Sequence, residues 1–175
     1  AAPVVITAGR NEVVAAPVQV DHDLTGADGR IAVSRLVIEA AEGSDLTVIH
    51  HVRSGDVAAL FLPIVEIDLA PTARVRYVMV QELGPRMTMI ATQASQTRAD
   101  ATLSTMTVAL GGSYARVLSD AQMLGRGGHN ELLAVYFGED EQMHDFRTIQ
   151  HHIAPRTTSD LVFKGAVEGH ASSVY

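Results

Sequence analysis

The stretch Val65-Glu66-Ile67-Asp68-Leu69 alternates strictly between apolar and acidic side chains. After a turn signal at Pro71, Val75-Arg76-Tyr77 resumes the alternation and continues toward Met79. Successive side chains of a β-strand point to opposite faces, so a period of two places one face on a core. The two stretches therefore predict consecutive half-buried strands joined by a short turn.

Similar runs rich in Val, Ile and Thr recur along most of the chain, and such β-branched side chains suit a pleated surface. Between Ile31 and Ser113 the runs begin at positions 31, 46, 60, 74, 87, 101 and 113. Turn residues such as Gly43 and Gly84-Pro85 separate them. This regular spacing predicts a repetitive all-β fold, either a solenoid or a sandwich.

The first thirty residues lack this regularity. Val4–Thr7 and Val13–Val20 have strand composition, although Pro17 restricts the second run to a sheet edge or bulge, and Asp21-His22-Asp23 is typical of a loop. We therefore predict an N-terminal strand and loop segment at residues 1–30 and a β-rich core at residues 31–175. The closing residues 171–175 have the composition of another strand without a cap, so we expect the core to be truncated at its C-terminal end.

The composition excludes several classes of function. With 175 residues, 47% of them hydrophobic, the chain is expected to form one domain, and its net charge of −7 with scattered arginines argues against nucleic acid as a partner. The chain has no cysteine, which removes disulfides, thiolate catalysis and thiolate ligation of an iron–sulfur cluster by its own residues. It shows neither a signal-peptide pattern nor an apolar run of about 20 residues, so we expect no membrane partner and a cytoplasmic location.

Eight histidines raise the alternative of a metal site. Adjacent histidines on a strand point to opposite faces, so neither His50-His51 nor His151-His152 can hold one ion as a pair. A cupin-like mononuclear metal-dependent enzyme would instead combine residues from different strands, for example His50, Glu66 and His152. A carbohydrate-acting β-helix using the acidic run at 139–141 is a weaker alternative, because the chain has no Trp to stack on a sugar.

The closing part of the chain carries the most distinctive spacing: Gln142-x-x-Asp145, then His152-x-x-Pro155-x-x-x-Ser159, then Lys164-Gly165. The preceding segments occur in a matching order: Arg35–Ala40, Leu46–Ile49, Glu66–Leu69, Ala73–Gln81 and Leu110–Gly112. Together they make the chain, from about residue 30 to its end, similar to the core of the SufB/SufD family of iron–sulfur cluster assembly proteins.

The resemblance implies a right-handed parallel β-helix, a solenoid forming a single domain. It implies a non-enzymatic scaffold subunit that works with a SufB-like sister subunit and a SufC-like ABC ATPase, with an iron–sulfur cluster only in the assembled complex. The lack of cysteine favours the SufD side of the family. The cluster-linked and ATPase-docking regions of the family lie beyond the position of Tyr175, so we assign no catalytic, cofactor-binding or metal-binding residue here.

A structural role is expected for the family-motif residues, which are Gln142, Asp145, His152, Pro155, Ser159, Lys164 and Gly165. Inside a β-helix, Gln142, Asp145 and Ser159 would form hydrogen-bonded ladders between coils, and His152 would join that network. Open strand edges also predict pairing with a partner, or a homodimer of the isolated chain.

Overall fold

The computed structural model describes residues 2–175. None of these residues lies in a helix, so no helix among them is long and apolar enough to cross a membrane. The strands are β1 (Val4–Ala8), β2 (Val18–Asp23), β3 (Ile31–Ala40), β4 (Asp45–Arg53), β5 (Leu60–Leu69), β6 (Arg74–Leu83), β7 (Thr88–Thr97), β8 (Thr102–Gly111), β9 (Tyr114–Met123), β10 (His129–Gly138), β11 (Met143–His152), β12 (Thr158–Val167) and β13 (Ser172–Val174).

The strands divide between two parallel sheets. The odd-numbered strands form a seven-stranded sheet and the even-numbered strands a six-stranded sheet, each ordered as in the sequence. Every coil therefore consists of one strand from each sheet, and each strand is hydrogen-bonded to the strand one coil away. The fold is a parallel β-solenoid, which confirms the predicted all-β class and parallel β-helix.

The register between coils is continuous. Ile31 pairs with Leu60, Leu60 with Thr88, Thr88 with Tyr114 and Tyr114 with Met143. The spacing of about 14 residues seen in the sequence is thus half a coil. The alternation also holds, because Val65, Ile67 and Leu69 are buried while Glu66 and Asp68 face outward.

The turns at one corner of the solenoid share a single backbone conformation. Each turn from an odd to an even strand contains a residue with φ between 55° and 74°, and these residues are Asn11, Gly43, Thr72, Asp100, Gly127 and Arg156. The left-handed region is accessible to Gly at little steric cost and is tolerated by Asn and Asp. One such residue per coil reverses the chain in a short turn and keeps consecutive strands stacked.

The N-terminal residues join the same two sheets. β1 pairs with β3, and β2 pairs with β4. The loop expected at Asp21-His22-Asp23 is instead the end of β2. Here the inward-facing position is the polar His22, between two outward aspartates, and this hid the strand alternation.

The last coil is covered only in part. β13 pairs with residues 143–145 at the start of β11, and the rest of β11 has β9 as its only neighbour among residues 2–175. β12 is likewise paired on one side, with β10. Within residues 2–175, the backbone donors and acceptors on one side of these strands therefore have no strand partner.

Candidate functional site

His152 and Ser159 close the corner between β11 and β12. The His152 ring contacts Thr157 Oγ1 through Nδ1 at 2.8 Å and Ser159 Oγ through Nε2 at 3.1 Å. The Thr157 hydroxyl donates to the carbonyl of Ala154 at 3.1 Å, so it accepts from Nδ1–H of His152. In the neutral ring Nε2 then accepts from the hydroxyl of Ser159. Both ring nitrogens are thus occupied by bonds that fix the turn.

Pro155 and Arg156 form the tip of this turn. Proline restricts its own φ, and Arg156 has a φ of 60°, in the left-handed region used at every equivalent corner. The spacing of His152, Pro155 and Ser159 is therefore that of a single turn. A hydrogen bond between the side chains of His152 and Ser159 braces this turn by joining its two ends. Other corners lack this brace. Three coils earlier, Leu69 and Val75 occupy the positions that match His152 and Ser159, and both are buried in the apolar core.

Gln142 braces the opposite corner, between β10 and β11. Its Oε1 accepts a hydrogen bond from the backbone N–H of Glu139 at 3.2 Å. Asp140, between them, has a φ of 55°. Glu139, Asp140 and Glu141 are exposed in this turn, so the acidic run is part of a solvated loop.

Asp145 lies on the outer face of the odd sheet and not inside the coil, where a polar ladder was expected. Its carboxylate accepts from Tyr114 Oη at 2.8 Å and from Arg147 Nε at 2.6 Å, and its side chain is only 4% exposed. Burial raises the pKa of Asp145, but these hydrogen bonds and the charges of Arg147 and Arg116 outweigh it, and the pKa lies below its usual value. Asp145 therefore stays ionised and ties β9 to β11.

Gly165 lies opposite Tyr136, its register partner on β10. A Cβ at Gly165 would lie 2.1 Å from Cε2 of Tyr136, so the ring occupies the space of the missing side chain. Lys164 is exposed on the outer face of β12. The motif residues thus lie at two corners, on the outer faces of both sheets and inside the last coils, and they do not converge on one site.

The residues proposed for a cupin-like metal centre are separated. His50 is fully buried inside the solenoid, Glu66 bonds Arg35 on the outer face of the odd sheet, and His152 lies at the corner described above. Among residues 2–175 no group of three or more His, Asp or Glu side chains is arranged to hold a metal ion. The cupin-like alternative is not favoured.

A buried polar chain was missed by sequence reasoning. His22 Nδ1 lies 2.8 Å from His50 Nε2, and His50 Nδ1 lies 2.7 Å from Tyr77 Oη. Burial, together with the charge of His22, lowers the pKa of His50 to about 4, so the ring is neutral at pH 7. The three residues are spaced by about one coil in the sequence, and that spacing was the available signal.

These observations define a class: a parallel β-solenoid whose distinctive polar residues brace its turns and coils. Residues 22–175 match the family model described as SUF system FeS cluster assembly, SufBD core domain. The chain belongs to the SufBD family.

Individual relatives agree with this assignment. An iron–sulfur cluster assembly SufBD family protein of Mycobacterium leprae is 32% identical over 167 residues, which cover 94% of this chain and 41% of the relative. A SufBD family protein of Mycobacterium tuberculosis is 29% identical over 169 residues, 96% of this chain and 41% of the relative. A second protein of that family in M. tuberculosis is 28% identical over 117 residues, 67% of this chain and 14% of the relative. The chain spans about two fifths of the length of the first two relatives.

Gly165→Ala should lower the free energy of unfolding by about 1–3 kcal/mol, because the new methyl group must displace the Tyr136 ring. Urea denaturation measures the change. Gly26→Ala is the matched control, since a Cβ there meets nothing within 4 Å. Equal effects of the two substitutions would contradict the proposed packing of Tyr136 on Gly165.

His152→Ala should lower the melting temperature, with a loss of about 1 kcal/mol, because the hydrogen bonds to Thr157 and Ser159 disappear from a partly solvated turn. Differential scanning calorimetry measures this, with His170→Ala as a control at another exposed histidine. Unchanged stability together with lost cluster assembly in the full-length protein would instead give His152 a direct functional role.

Proposed function

We propose that this chain is the central β-solenoid of a SufD-like scaffold subunit in an iron–sulfur cluster assembly complex. The observation that carries the proposal is the match of residues 22–175 to the core domain of a family described by this process. In this proposal the subunit acts in the cytoplasm, together with a SufB-like sister subunit and a SufC-like ABC ATPase.

The SufD-like side of the family is supported by the chemistry of the chain. A sequence without cysteine cannot ligate a cluster through thiolates, whereas the SufB-like sister is expected to bring cysteines within its core. M. tuberculosis contains two distinct family members that match this chain, as expected for a pair of sister subunits. In this proposal the cluster is held only in the assembled complex.

A non-enzymatic role is supported by the state of the motif side chains. Both nitrogens of His152 are engaged in the turn, and the carboxylate of Asp145 is shared between Tyr114 and Arg147. Groups that already satisfy one another within the fold are suited to holding a shape. We infer that these residues maintain the solenoid that partners bind.

Co-purification tests this proposal. A tagged SufB-like subunit, co-expressed with the SufC-like ATPase, should retain this chain through size-exclusion chromatography, and mass spectrometry should find the isolated chain free of metal.

Two results would contradict the proposal. Near-stoichiometric iron, zinc or manganese that is lost on substituting His50 or His152 would restore the metalloenzyme alternative. A monomeric chain in light scattering that is never captured by the sister subunit would remove the scaffold role.

A further inference from the structure

The turns that lead from the even sheet back to the odd sheet differ in length. Residues 84–87 join β6 to β7 and residues 139–142 join β10 to β11, whereas only Gly112 and Ser113 join β8 to β9 between them. The shorter turn leaves a notch between its two neighbours, which lie two coils and therefore about 10 Å apart. An extended chain needs about 4.8 Å on each side, so the notch has the width of one extended segment.

Two depressions meet in this notch. The depression on the side of the even sheet has a volume of about 470 Å³, and the one on the side of the odd sheet has a volume of about 570 Å³. Pro85, Asp140 and Gln142 line both, so the two depressions form one groove across the corner, which we call the corner groove. Its walls also include Leu110, Phe137 and Glu139 on the even side and Ser113, Glu141 and His170 on the odd side.

Gln142 brings an unused donor group to the corner groove. The residue is only 9% exposed, and its Oε1 accepts the hydrogen bond from the backbone N–H of Glu139. Its Nε2 has no hydrogen-bond partner within residues 2–175 and is not enclosed by protein, so it faces the groove that Gln142 lines. The two N–H donors of this amide are therefore available to an acceptor in the groove.

The backbone of the same turn is bonded on one side only. Toward the next coil, the carbonyl of Asp140 accepts from the N–H of His170 at 2.7 Å. Glu141 occupies the position of His170 one coil earlier, so its N–H points toward the short turn, where it has no acceptor among residues 2–175. A carbonyl of an extended peptide in the groove supplies the acceptor that the short turn lacks.

The rim of the corner groove is acidic. Residues 139–141, two glutamates and an aspartate, are exposed, and none of them forms an ion pair within the described part of the chain. His170, which is also exposed, forms no ion pair with them. Arg86, in the turn on the opposite side of the notch, is held by Asp56 at 2.8 Å and does not neutralise them. The rim is therefore complementary to a basic ligand.

The end of the groove at the even sheet is apolar. Leu110 and Phe137 are register partners there, and they are 39% and 43% exposed. Pro85 adds apolar surface on the opposite wall. An apolar side chain placed between them removes this surface from water, which favours binding.

We propose that the corner groove binds an extended segment of a partner protein in which an apolar residue lies beside Lys or Arg. The apolar side chain packs on Leu110 and Phe137, and the basic side chains meet residues 139–141. Peptide carbonyls accept from the amide of Gln142 and from the N–H of Glu141. In this mode backbone hydrogen bonds provide affinity and the side-chain contacts provide specificity.

A divalent cation suits the groove less well than a peptide. The three carboxylates are consecutive in an exposed turn, and among residues 2–175 no group of three or more acidic or histidine side chains is arranged to hold a metal ion. A cation would also leave Leu110 and Phe137 uncovered. The inference goes beyond the proposed function and does not depend on it, because it requires only a protein segment of the stated chemistry.

Selection from a phage library of random peptides of about seven residues tests the proposal, since that length spans the groove. Peptides enriched on the immobilised chain should combine an apolar residue with Lys or Arg. The most enriched peptide, synthesised with a fluorescent label, should bind with a dissociation constant that rises at least about tenfold in Glu141→Lys and in Phe137→Ser, measured by fluorescence polarisation. Glu39→Lys and Ile149→Ser make the same changes on the outer face of the odd sheet, and they should leave binding unchanged.

Nuclear magnetic resonance provides a second readout without altering Gln142. The side-chain amide signals of Gln142 should shift when the peptide binds, because this amide donates to the peptide. The signals of Gln96, which is exposed on the outer face of the odd sheet, should not shift. Circular dichroism establishes that each variant is folded.

Three results would overturn the proposal. The first is a selection that enriches no peptide, or only peptides without Lys or Arg. The second is a peptide that binds Glu141→Lys and Phe137→Ser as tightly as the unaltered chain. The third is a shift of the Gln142 signals by calcium ions in the absence of any peptide binding, which would make the groove a cation site. The proposed function is tested separately by capture of the sister subunit.

Discussion

The in-register ladder of backbone hydrogen bonds between coils determines the rest of this structure. Each strand is parallel to the strand one coil later, so every side chain stacks on the side chain at the same position of the next coil. A slip of one residue would exchange the inward and outward sets along the whole strand. The apolar interior, the repeated left-handed corner residues and the motif contacts all depend on this register. Burial of the inward side chains in turn specifies it.

Local features of the chain predicted the strands well. The predicted run starts at 31, 60 and 74 coincide with β3, β5 and β6, and the starts at 46 and 87 differ from β4 and β7 by one residue. Alternation and turn residues are local properties, so the sequence displays them directly. The resemblance to the SufB/SufD family supplied the arrangement of strands as a parallel helix, which alternation alone left open.

Contacts between coils could not be predicted in the same way. Successive register partners are separated by 26 to 32 positions, because the turns differ in length. Without those lengths, the stacking of Tyr136 on Gly165 is not visible, and the link from His22 to His50 has only their spacing of about one coil as a signal. Asp145 was expected inside because it is polar and belongs to a distinctive motif. Its position in β11 places it outside, where Tyr114 and Arg147 surround it.

Two kinds of surface follow from this architecture. Within residues 2–175, the strands of the last coil leave backbone groups unpaired on one side, whereas the outer face of the even sheet exposes side chains alone. The hydrogen bonds of His152 and Gln142 fix the turns after and before β11, in the coil whose strands carry these edges. In the proposed scaffold role, rigid corners of this kind would preserve the shape that partners bind.

Disulfide trapping in this cysteine-free chain tests the register most directly. Thr92 and Leu118 are register partners on the outer face of β7 and β9, about 4.8 Å apart in a parallel sheet. Ala94 lies two residues beyond the register partner of Leu118. The Cα atoms of Ala94 and Leu118 are therefore about 8 Å apart, which is beyond the reach of a relaxed disulfide. The double variant Thr92→Cys/Leu118→Cys should oxidise readily to an intramolecular disulfide, and Ala94→Cys/Leu118→Cys should not. The opposite preference would contradict the register on which this account depends.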